Sequence, residues 1–355
     1  MRIALDTSPL KSGHSIRGIG YYTHNLMFEL KRVARRDNWL LDEVSSKTNK
    51  KKLDTYDLIH YPFFDLFFVS LPLIKPTNLV VTVHDIIPLL YPKHYPLGIK
   101  GKIGFQIQKF LLRKVDAVIT DCKTSKEDII KYLNYPRERI FPIYIGVKDK
   151  FREITNKKLL DKIRVKYKLP NRFVLYVGDV NYNKNLLMLA KACKKINTPL
   201  VIVGKQAIEK EVVRKHIENK SWVIFLKKYE GDPSIIRVGF VPSEDLVVIY
   251  NLASVYCQPS LYEGFGLSVL EAMASGCPVA CSQTPALAEI YREAAFFFDP
   301  TDINDIAEKI HTILINTKFR KRLVYNGLKS AKRFSWKKCA EETFAVYNIV
   351  KNEHN

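Results

Sequence analysis

The chain of 355 residues is long enough for two domains, and its 47% hydrophobic and 12% aromatic residues exclude a disordered or fibrous polypeptide. No run of about 18 apolar residues occurs, so we predict no membrane-spanning helix. The six cysteines form no C-x-x-C pair, so we predict neither a zinc site nor a disulfide framework. The chain is therefore expected to be a soluble, reduced, cytoplasmic protein. The net charge of +21 favours polyanionic partners; because no nucleic-acid-binding motif accompanies it, we favour an anionic substrate or membrane surface over nucleic acid.

Strands and helices alternate along the first 150 residues. A strand at 1–6 leads into a glycine-containing loop at 7–20 and a helix at 21–35. Near-continuous apolar runs predict strands at 58–61, 79–84 and 117–120, with helices at 103–115 and 125–133. Ser125 is the predicted cap of the last helix.

The alternation restarts after a charged stretch at 148–168. Strands are predicted at 173–178, 200–204, 235–240, 254–258 and 278–282, and helices at 186–195, 243–252, 267–274 and the C-terminus. Such alternation is typical of α/β folds with doubly wound parallel sheets, here two in succession. Ligands of these sheets bind beyond the carboxyl ends of the strands, so functional residues are expected in the loops that follow them.

The segment 260–276 is the most informative of these loops. Glu263 lies in a turn flanked by glycines, and the amides of Phe265, Gly266 and Leu267 then open a helix, which favours a phosphate site. Glu271 lies on that helix among apolar residues, where a buried carboxylate needs hydrogen-bond donors such as a sugar diol. The alternative is a solvated turn and a wet helix face.

Three further positions at strand ends have candidate roles. His84 can donate to a substrate oxygen or carry a proton, although a core histidine is the alternative. The turn from Arg17 to Gly20 can contact a phosphate, but it lacks the third glycine of a dinucleotide fingerprint. Lys184 can pair with a diphosphate or simply be solvated. No Walker A, H-E-x-x-H, G-x-S-x-G or D-x-D sequence occurs, so basic side chains and helix amides must neutralise any diphosphate.

These motifs together resemble one known family. The pair Glu263 and Glu271, within the run from Ser260 to Val279, is similar to the E-x7-E signature of retaining glycosyltransferases of family four. The resemblance covers nearly the whole chain and implies the GT-B architecture, in which two Rossmann-like domains face each other across a cleft. It implies an N-terminal acceptor-side domain at 1–150, a nucleotide-sugar-binding domain at 151–335, and a C-terminal helix at about 336–355 that packs back onto the first domain.

The resemblance also assigns roles by position. Glu271 would hold the ribose, and Val241 would lie near the base. Glu263 and the amides of Phe265, Gly266 and Leu267 would contact the transferred sugar and the diphosphate, and Lys184 would stabilise the leaving diphosphate. From the N-terminal domain, His84 would contact the sugar, and Gly18 and Gly20 would approach the phosphates. His84 and Glu263 are the expected catalytic residues, and no metal or other cofactor is implied.

The chain departs from the family in two places. The family usually places an arginine beside the phosphate-binding lysine, where this sequence has Asp179 and Asn183. Arg17, Lys205 and Arg237 are candidates for compensating phosphate contacts. In addition, the segment before the strand at 58 is short and polar where relatives have further strands, which suggests a simplified acceptor side.

The expected activity is metal-independent, retaining transfer of a hexose, with mannose from GDP-mannose as the first candidate, to a glycan or lipid-linked acceptor in surface polysaccharide or glycolipid synthesis. A nucleotide-sugar epimerase or hydrolase, a non-catalytic donor-binding partner subunit and a nucleic-acid binder are the alternatives.

The apolar loop 63–74 and the basic helix 100–114 are candidates for contact with an anionic membrane at its inner face. An interdomain packing loop and a core helix are the opposing interpretations, because apolar residues nearly encircle that helix.

Overall fold

The computed structural model describes residues 1–11, 13, 18–45, 48–208 and 219–353. The chain divides into two compact units. The N-terminal unit contains Met1–Pro92, Pro96–Gly146 and the segment from Phe334 onward, and the C-terminal unit contains Lys93–Tyr95 and Val147–Arg333. The first unit therefore includes both ends of the chain, and the second includes three residues that precede its main segment.

The N-terminal unit is built on a six-stranded sheet with the order β2-β1-β3-β4-β5-β6, in which every neighbouring pair is parallel. The strands are β1 (Arg2–Asp6), β2 (Leu40–Val44), β3 (Leu58–Tyr61), β4 (Asn78–Thr82), β5 (Ala117–Thr120) and β6 (Ile140–Pro142). Every residue of β3 and β5 is buried, as expected for strands covered by helices on both faces.

The C-terminal unit contains a second six-stranded parallel sheet, with the order β12-β11-β10-β7-β8-β9. The strands are β7 (Val174–Val177), β8 (Leu200–Val203), β9 (Ile235–Gly239), β10 (Val255–Gln258), β11 (Val279–Ser282) and β12 (Phe296–Phe298). Because β10 lies beside β7, the loops after these two strands leave the sheet at the same edge.

Helices cover both sheets. In chain order they are α1 (Gly18–Arg36), α2 (Lys50–Leu53), α3 (Ile87–Leu90), α4 (Ile99–Leu112), α5 (Lys123–Asp128, continued by a π-helical turn over Ile129–Leu133), α6 (Lys157–Lys166), α7 (Leu186–Lys195), α8 (Lys220–Tyr229), α9 (Ser243–Leu252), α10 (Leu267–Ala274), α11 (Pro285–Tyr291), α12 (Ile303–Ile315), α13 (Thr317–Ala331) and α14 (Trp336–Asn352). None of the helices in the described parts of the chain is long and apolar enough to cross a membrane.

The last helix, α14, packs in the N-terminal unit, although the segment that precedes it in sequence belongs to the C-terminal unit. The ring of Trp336 meets Tyr21 and Tyr22 of α1 edge-on, with centroids 5.9 Å apart in each case. A Cβ atom on Gly146 would lie 2.1 Å from the Trp336 amide nitrogen, so only glycine permits this close approach of the two chain segments. The chain thus leaves the first unit at the same place where it returns to it.

Several sequence predictions for this unit were wrong in detail. Strand β2 lies in the polar segment for which a simplified structure was predicted. Helix α1 begins at Gly18, so Gly18 and Gly20 form its first turn rather than a loop. Helix α5 is capped by Cys122, whose sulfur accepts from the amide of Ser125 (3.2 Å), and not by Ser125 itself.

Candidate active site

Glu263 is the centre of a polar cluster between β10 and α10. Its Oε1 accepts hydrogen bonds from Lys184 Nζ (2.7 Å), Ser260 Oγ (2.6 Å) and Gln258 Nε2 (2.8 Å). Glu263 is buried, which excludes the solvated turn that the sequence left open. None of the described residues donates to its Oε2, so the carboxylate is held by one oxygen while the other can accept from a ligand.

Glu271 is a second buried carboxyl, on the inner side of α10. The hydroxyl of Tyr250 donates to its Oε2 (3.1 Å). Burial raises the pKa of Glu271 to about 8. The hydrogen bond from Tyr250 and the positive charges of Lys148 and Lys150 lower the pKa, but they offset the effect of burial only in part. The carboxyl is therefore largely protonated at neutral pH, and the wet helix face predicted as an alternative is wrong.

The start of α10 has the form of an anion site. Gly266 is in the left-handed conformation (φ 82°), and the first intrahelical bonds run from Val269 and Leu270 to its carbonyl, so the amides before them point out of the helix. The Tyr291 hydroxyl donates to the same carbonyl (3.1 Å). A Cβ atom on Gly266 would lie 2.6 Å from the buried Leu287 side chain, so glycine is required by both conformation and space.

Lys184 ends a 3-10 turn, Tyr182–Lys184, that follows β7. The next residue, Asn185, is left-handed (φ 56°) and donates from Nδ2 to the carbonyls of Pro259 (3.1 Å) and Pro300 (2.8 Å). These bonds fasten the lysine turn to the loop that follows β10. The pairing of β7 with β10 in the sheet thus explains why two residues 79 positions apart, Lys184 and Glu263, meet.

A short strap, Lys93–Tyr95, packs on the lysine turn and belongs to the C-terminal unit. The ring of His94 stacks on Tyr182, with centroids 3.3 Å apart. Tyr95 donates from its hydroxyl to Asn183 Oδ1 (2.7 Å), and Asn183 donates from Nδ2 to the carbonyl of Tyr262 (3.3 Å). Asn183 is buried and joins the strap, the lysine turn and the turn before α10. No signal in the sequence identified this contact.

His84 lies in the N-terminal unit, just beyond β4. Its Nδ1 bonds to Asp121 Oδ2 (2.8 Å) and its Nε2 to the carbonyl of Pro62 (3.2 Å), while Tyr22 meets the ring edge-on. Burial alone would lower the pKa of His84, but the charge and hydrogen bond of Asp121, helped by Asp85, hold it above its ordinary value. Both ring nitrogens face acceptor oxygens, so the protonated ring can donate from each of them. Asp121 Oδ1 is buried without a hydrogen-bond partner in the described part of the chain.

A second histidine, His60, connects His84 to the C-terminal helix. His60 Nδ1 bonds to the hydroxyl of Tyr347 on α14 (2.6 Å), and Nε2 bonds to Thr82 Oγ1 (2.8 Å), which is also 3.2 Å from the hydroxyl of Tyr22. Burial, with a smaller contribution from the charge of His84, lowers the pKa of His60 to about 3, so the ring is neutral. The sequence placed His60 in a strand but assigned it no role.

Comparison with known proteins gives both halves of the chain a family. Residues 15–151 match the family described as Glycosyltransferase Family 4, and residues 160–330 match the family described as Glycosyl transferases group 1. The chain is 27% identical over 401 aligned residues to the O-antigen chain mannosyltransferase B of Escherichia coli, covering 99% of this chain and 100% of that protein.

The chain belongs to the glycosyltransferases. It is also 28% identical over 277 residues to the serotype-specific mannosyltransferase WbdA of Escherichia coli, covering 77% of this chain but only 34% of WbdA. Among solved structures it resembles HepE of Anabaena, crystallised with UDP and glucose, with a TM-score of 0.74 at 16% identity over 98% of this chain and 99% of HepE. That likeness shows the fold, which is the GT-B arrangement of two Rossmann-like units.

The remaining predicted site residues of the glycosyltransferase are not among the hydrogen-bond donors to Glu263 or Glu271 given above, or lie outside the described residues. Val241 is buried just before α9. Lys205 is exposed. Arg237 is also exposed, and its guanidinium donates to the carbonyl of Ala207 (3.3 Å). Arg17 lies outside the described residues. Across the described ranges, no group of three or more His, Cys, Asp or Glu residues could hold a metal ion.

Proposed function

We propose that this glycosyltransferase moves a hexose, with mannose as the first candidate, from a nucleotide-diphosphate sugar to a glycan or lipid-linked acceptor in surface polysaccharide or glycolipid synthesis. The observation that carries the donor part is the convergence of Lys184 and Glu263 at the start of α10, with Glu271 buried further along the same helix. The mannosyltransferase names of the relatives support mannose and a polysaccharide product. The UDP and glucose held by HepE support a nucleotide-sugar donor for this fold.

Glu271 is proposed to hold the two ribose hydroxyls. A carboxylate accepts from both hydroxyls of a diol, whereas a protonated carboxyl has lost part of its acceptor capacity. Since the pKa of Glu271 is about 8, the donor must bind the minor, ionised form at neutral pH. Donor affinity is therefore expected to increase as the pH rises from 6 towards 8, by up to about tenfold per pH unit.

The diphosphate is proposed to lie against the amides of Phe265, Gly266 and Leu267, with Lys184 beside it. Both groups supply charge-assisted hydrogen bonds to phosphate oxygens without a metal ion. The electrostatic effect of Lys148 and Lys150 on Glu271 adds positive potential near the same helix.

Transfer is proposed to retain the anomeric configuration. The bond from the sugar C1 to the diphosphate oxygen breaks, the acceptor oxygen forms its bond to C1 on the same face, and the acceptor proton passes to the departing diphosphate. In this scheme Glu263 Oε2 accepts a hydrogen bond from a hydroxyl of the sugar, and His84 contacts the sugar from the N-terminal unit. Gly18 and Gly20 face the phosphates, and Val241 contacts the base. The proposed place of action is the cytoplasm, at the inner face of the cell membrane.

Thermal unfolding with GDP, UDP, ADP, GDP-mannose and UDP-glucose in EDTA tests the donor proposal. A ligand at about 100 times its Kd stabilises the fold by about 2.7 kcal/mol, which corresponds to a few degrees for a chain of this size. We expect one base to raise the midpoint of the wild type and of Glu293→Gln, an exposed control in the same unit, but not of Glu271→Gln. If no nucleotide raises it, the donor proposal is wrong.

Incubation of the preferred donor with and without acceptor glycans, followed by NMR of the anomeric proton, tests the reaction itself. We expect a glycoside with the configuration of the donor. Inversion would contradict the retaining scheme. Release of free sugar or an epimer without acceptor would indicate a hydrolase or epimerase, and donor binding without turnover on any acceptor would indicate a non-catalytic partner subunit.

A further inference from the structure

Helix α4 has two apolar faces, and only one of them is in the core. The buried face consists of Gly104, Gln108, Leu111 and Leu112. On the other side, large apolar residues at spacings of four, four and three lie on one stripe and are exposed: Ile99, Ile103, Ile107 and Phe110. A stripe of this size on a helix is unusual for a surface that meets only water.

The loop before β4 is fixed against α4. The loop runs along α4: a Cβ atom on Gly104 would lie 2.0 Å from the carbonyl oxygen of Phe67, and Lys114 donates to the carbonyl of Leu73 (3.4 Å). Gln108 ties the two together, donating to Ser70 Oγ (2.7 Å) and to the carbonyl of Asp65 (2.5 Å). Further exposed apolar side chains lie on this loop: Phe68, Val69, Leu73 and Ile74.

The charges on α4 are of one sign, and the acidic residue of the loop, Asp65, is half-buried and accepts from the amides of Phe67 and Phe68. Between residues 99 and 114 the sequence has five basic residues and no acidic one. Lys100 and Lys102 are exposed on the first turns of α4, and the ammonium group of Lys114 lies 4.7 Å from the ring centroid of Phe110. The surface is therefore an apolar patch bordered by cations, and a loop fixed by side-chain hydrogen bonds forms part of it.

We propose that this surface, which we call the α4 surface, docks the enzyme on an anionic lipid bilayer. The apolar side chains enter the boundary between headgroups and acyl chains, and the lysines stay at the level of the phosphates. The border of cations decides for a bilayer over a second copy of this chain, because two copies would bring like charges together. This inference rests on the proposed function, in which the acceptor is linked to a membrane lipid. It adds that the enzyme faces this membrane with the α4 surface of the N-terminal unit.

Flotation with vesicles tests the proposal without any donor, sugar or acceptor, so that its outcome is independent of the proposed reaction. The full chain is mixed with vesicles of phosphatidylcholine alone, or of phosphatidylcholine with phosphatidylglycerol, at low and high salt. We expect binding to the anionic vesicles, little binding to the neutral ones, and weaker binding as the salt concentration rises. Absence of binding to anionic vesicles at low salt would overturn the proposal.

A matched pair of variants locates the surface. Phe110 and Phe28 are both 57% exposed on helices of the same unit, and each has a basic side chain over its ring. Phe110→Gln should weaken vesicle binding about tenfold, while Phe28→Gln should leave it unchanged. Lys100→Glu combined with Lys102→Glu should weaken it further, but Lys157→Glu with Lys158→Glu, the same change on α6, should not.

Light scattering of the same variants measures their oligomeric state and so tests whether a second copy of the chain covers the α4 surface. If the wild type is dimeric and Phe110→Gln is monomeric, a second copy covers the α4 surface and the bilayer proposal is wrong. Equal vesicle binding by Phe110→Gln and Phe28→Gln would also overturn it, because binding would then depend on net charge alone.

Discussion

At the scale of single residues, the donor site is defined by two carboxyl groups in unlike surroundings. Glu263 is buried among three donors, one of them a lysine. Glu271 is buried with one hydroxyl donor, and its pKa is raised to about 8. A buried carboxyl without a full set of donors costs folding free energy, so the burial of Glu271 lowers the stability of the fold.

Glu271→Gln is expected to stabilise the ligand-free protein. The unfolded chain loses the Glu271 proton near pH 4.5 and the folded chain only near pH 8, so the folded state binds more protons in this window and its stability falls as the pH rises. The glutamine variant lacks this penalty. Its gain should be small at pH 4.5 and reach about 2–4 kcal/mol at pH 8, as measured by urea unfolding.

Glu293→Gln is the control for this experiment, because Glu293 is exposed in the same unit. Its unfolding free energy should follow that of the wild type at every pH. A glutamine variant of Glu271 that is less stable than the wild type at pH 8 would show that the carboxyl is ionised and well paired in the folded state.

At the scale of elements, the lysine turn is positioned by a strap from a distant part of the sequence. Asn183, which stands where the family often has an arginine, is buried and accepts from the Tyr95 hydroxyl. An arginine would not fit this hydrogen-bonding arrangement, because it has no acceptor. The asparagine at position 183 therefore has two effects: it removes one positive charge from the site, and it changes the hydrogen bonds that position Lys184.

Tyr95→Phe should weaken donor binding through the position of Lys184. The change leaves the buried Asn183 oxygen without its donor, at a cost of about 1–3 kcal/mol in unfolding free energy. Part of that cost should reach the donor site, and we expect KM for the donor to rise about three- to tenfold with a smaller change in kcat.

Tyr135→Phe is the matched control, since the Tyr135 hydroxyl also makes a buried hydrogen bond, to the Val115 carbonyl (2.8 Å), but in the N-terminal unit. It should lose comparable stability while KM for the donor stays at the wild-type value. If both variants change KM alike, the strap has only a structural role.

At the scale of the whole molecule, the N-terminal unit is completed by the last helix of the chain. The bond between His60 and Tyr347 spans 287 positions, and it is one link in a buried polar chain that leads through Thr82 and Tyr22 to the ring of His84. Such polar chains in a core are stabilising only when every member is satisfied. The docking of α14 thus contributes to the core in which the His84 ring packs.

Tyr347→Phe is expected to destabilise the N-terminal unit. It leaves His60 Nδ1 buried without a partner, which costs about 1–3 kcal/mol. Guanidinium unfolding followed by circular dichroism measures the loss, and Tyr325→Phe, at an exposed position on α13, should lose none. Equal stability of the two variants would mean that another group satisfies His60 in solution.

Periodicity and apolar runs placed most of the interior strands and several helices, but helices α6 and α8 were not predicted. Strands β3 and β5 and helices α7, α9 and α10 begin and end at the predicted residues. Strands β2, β6 and β12 were not predicted, and each lies at an edge of its sheet. An edge strand is buried less completely and can be short and polar, as β2 shows with one buried residue in five, so no apolar run reports it.

The candidate site was partly predictable for a similar reason. Glu263, Glu271 and the glycine at 266 stand in one short segment, so local spacing was enough to single them out. Their partners Tyr250, Lys184 and Tyr95 come from other parts of the chain, and no local pattern reports which hydroxyl or ammonium group will reach a carboxyl.

The order of apolar and polar residues along this chain predicts alternating strands and helices, which is typical of the α/β class, and a glycine-bounded anion site, because both patterns are contained in short segments of sequence. The pairing of the strands into two sheets joins distant segments, such as β7 with β10. The outward face of α4, the neutral state of His60 and the raised pKa of Glu271 were decided by tertiary structure. Each depends on which segment comes to lie beside the residue and removes water from it, and burial is a property of the packed chain as a whole.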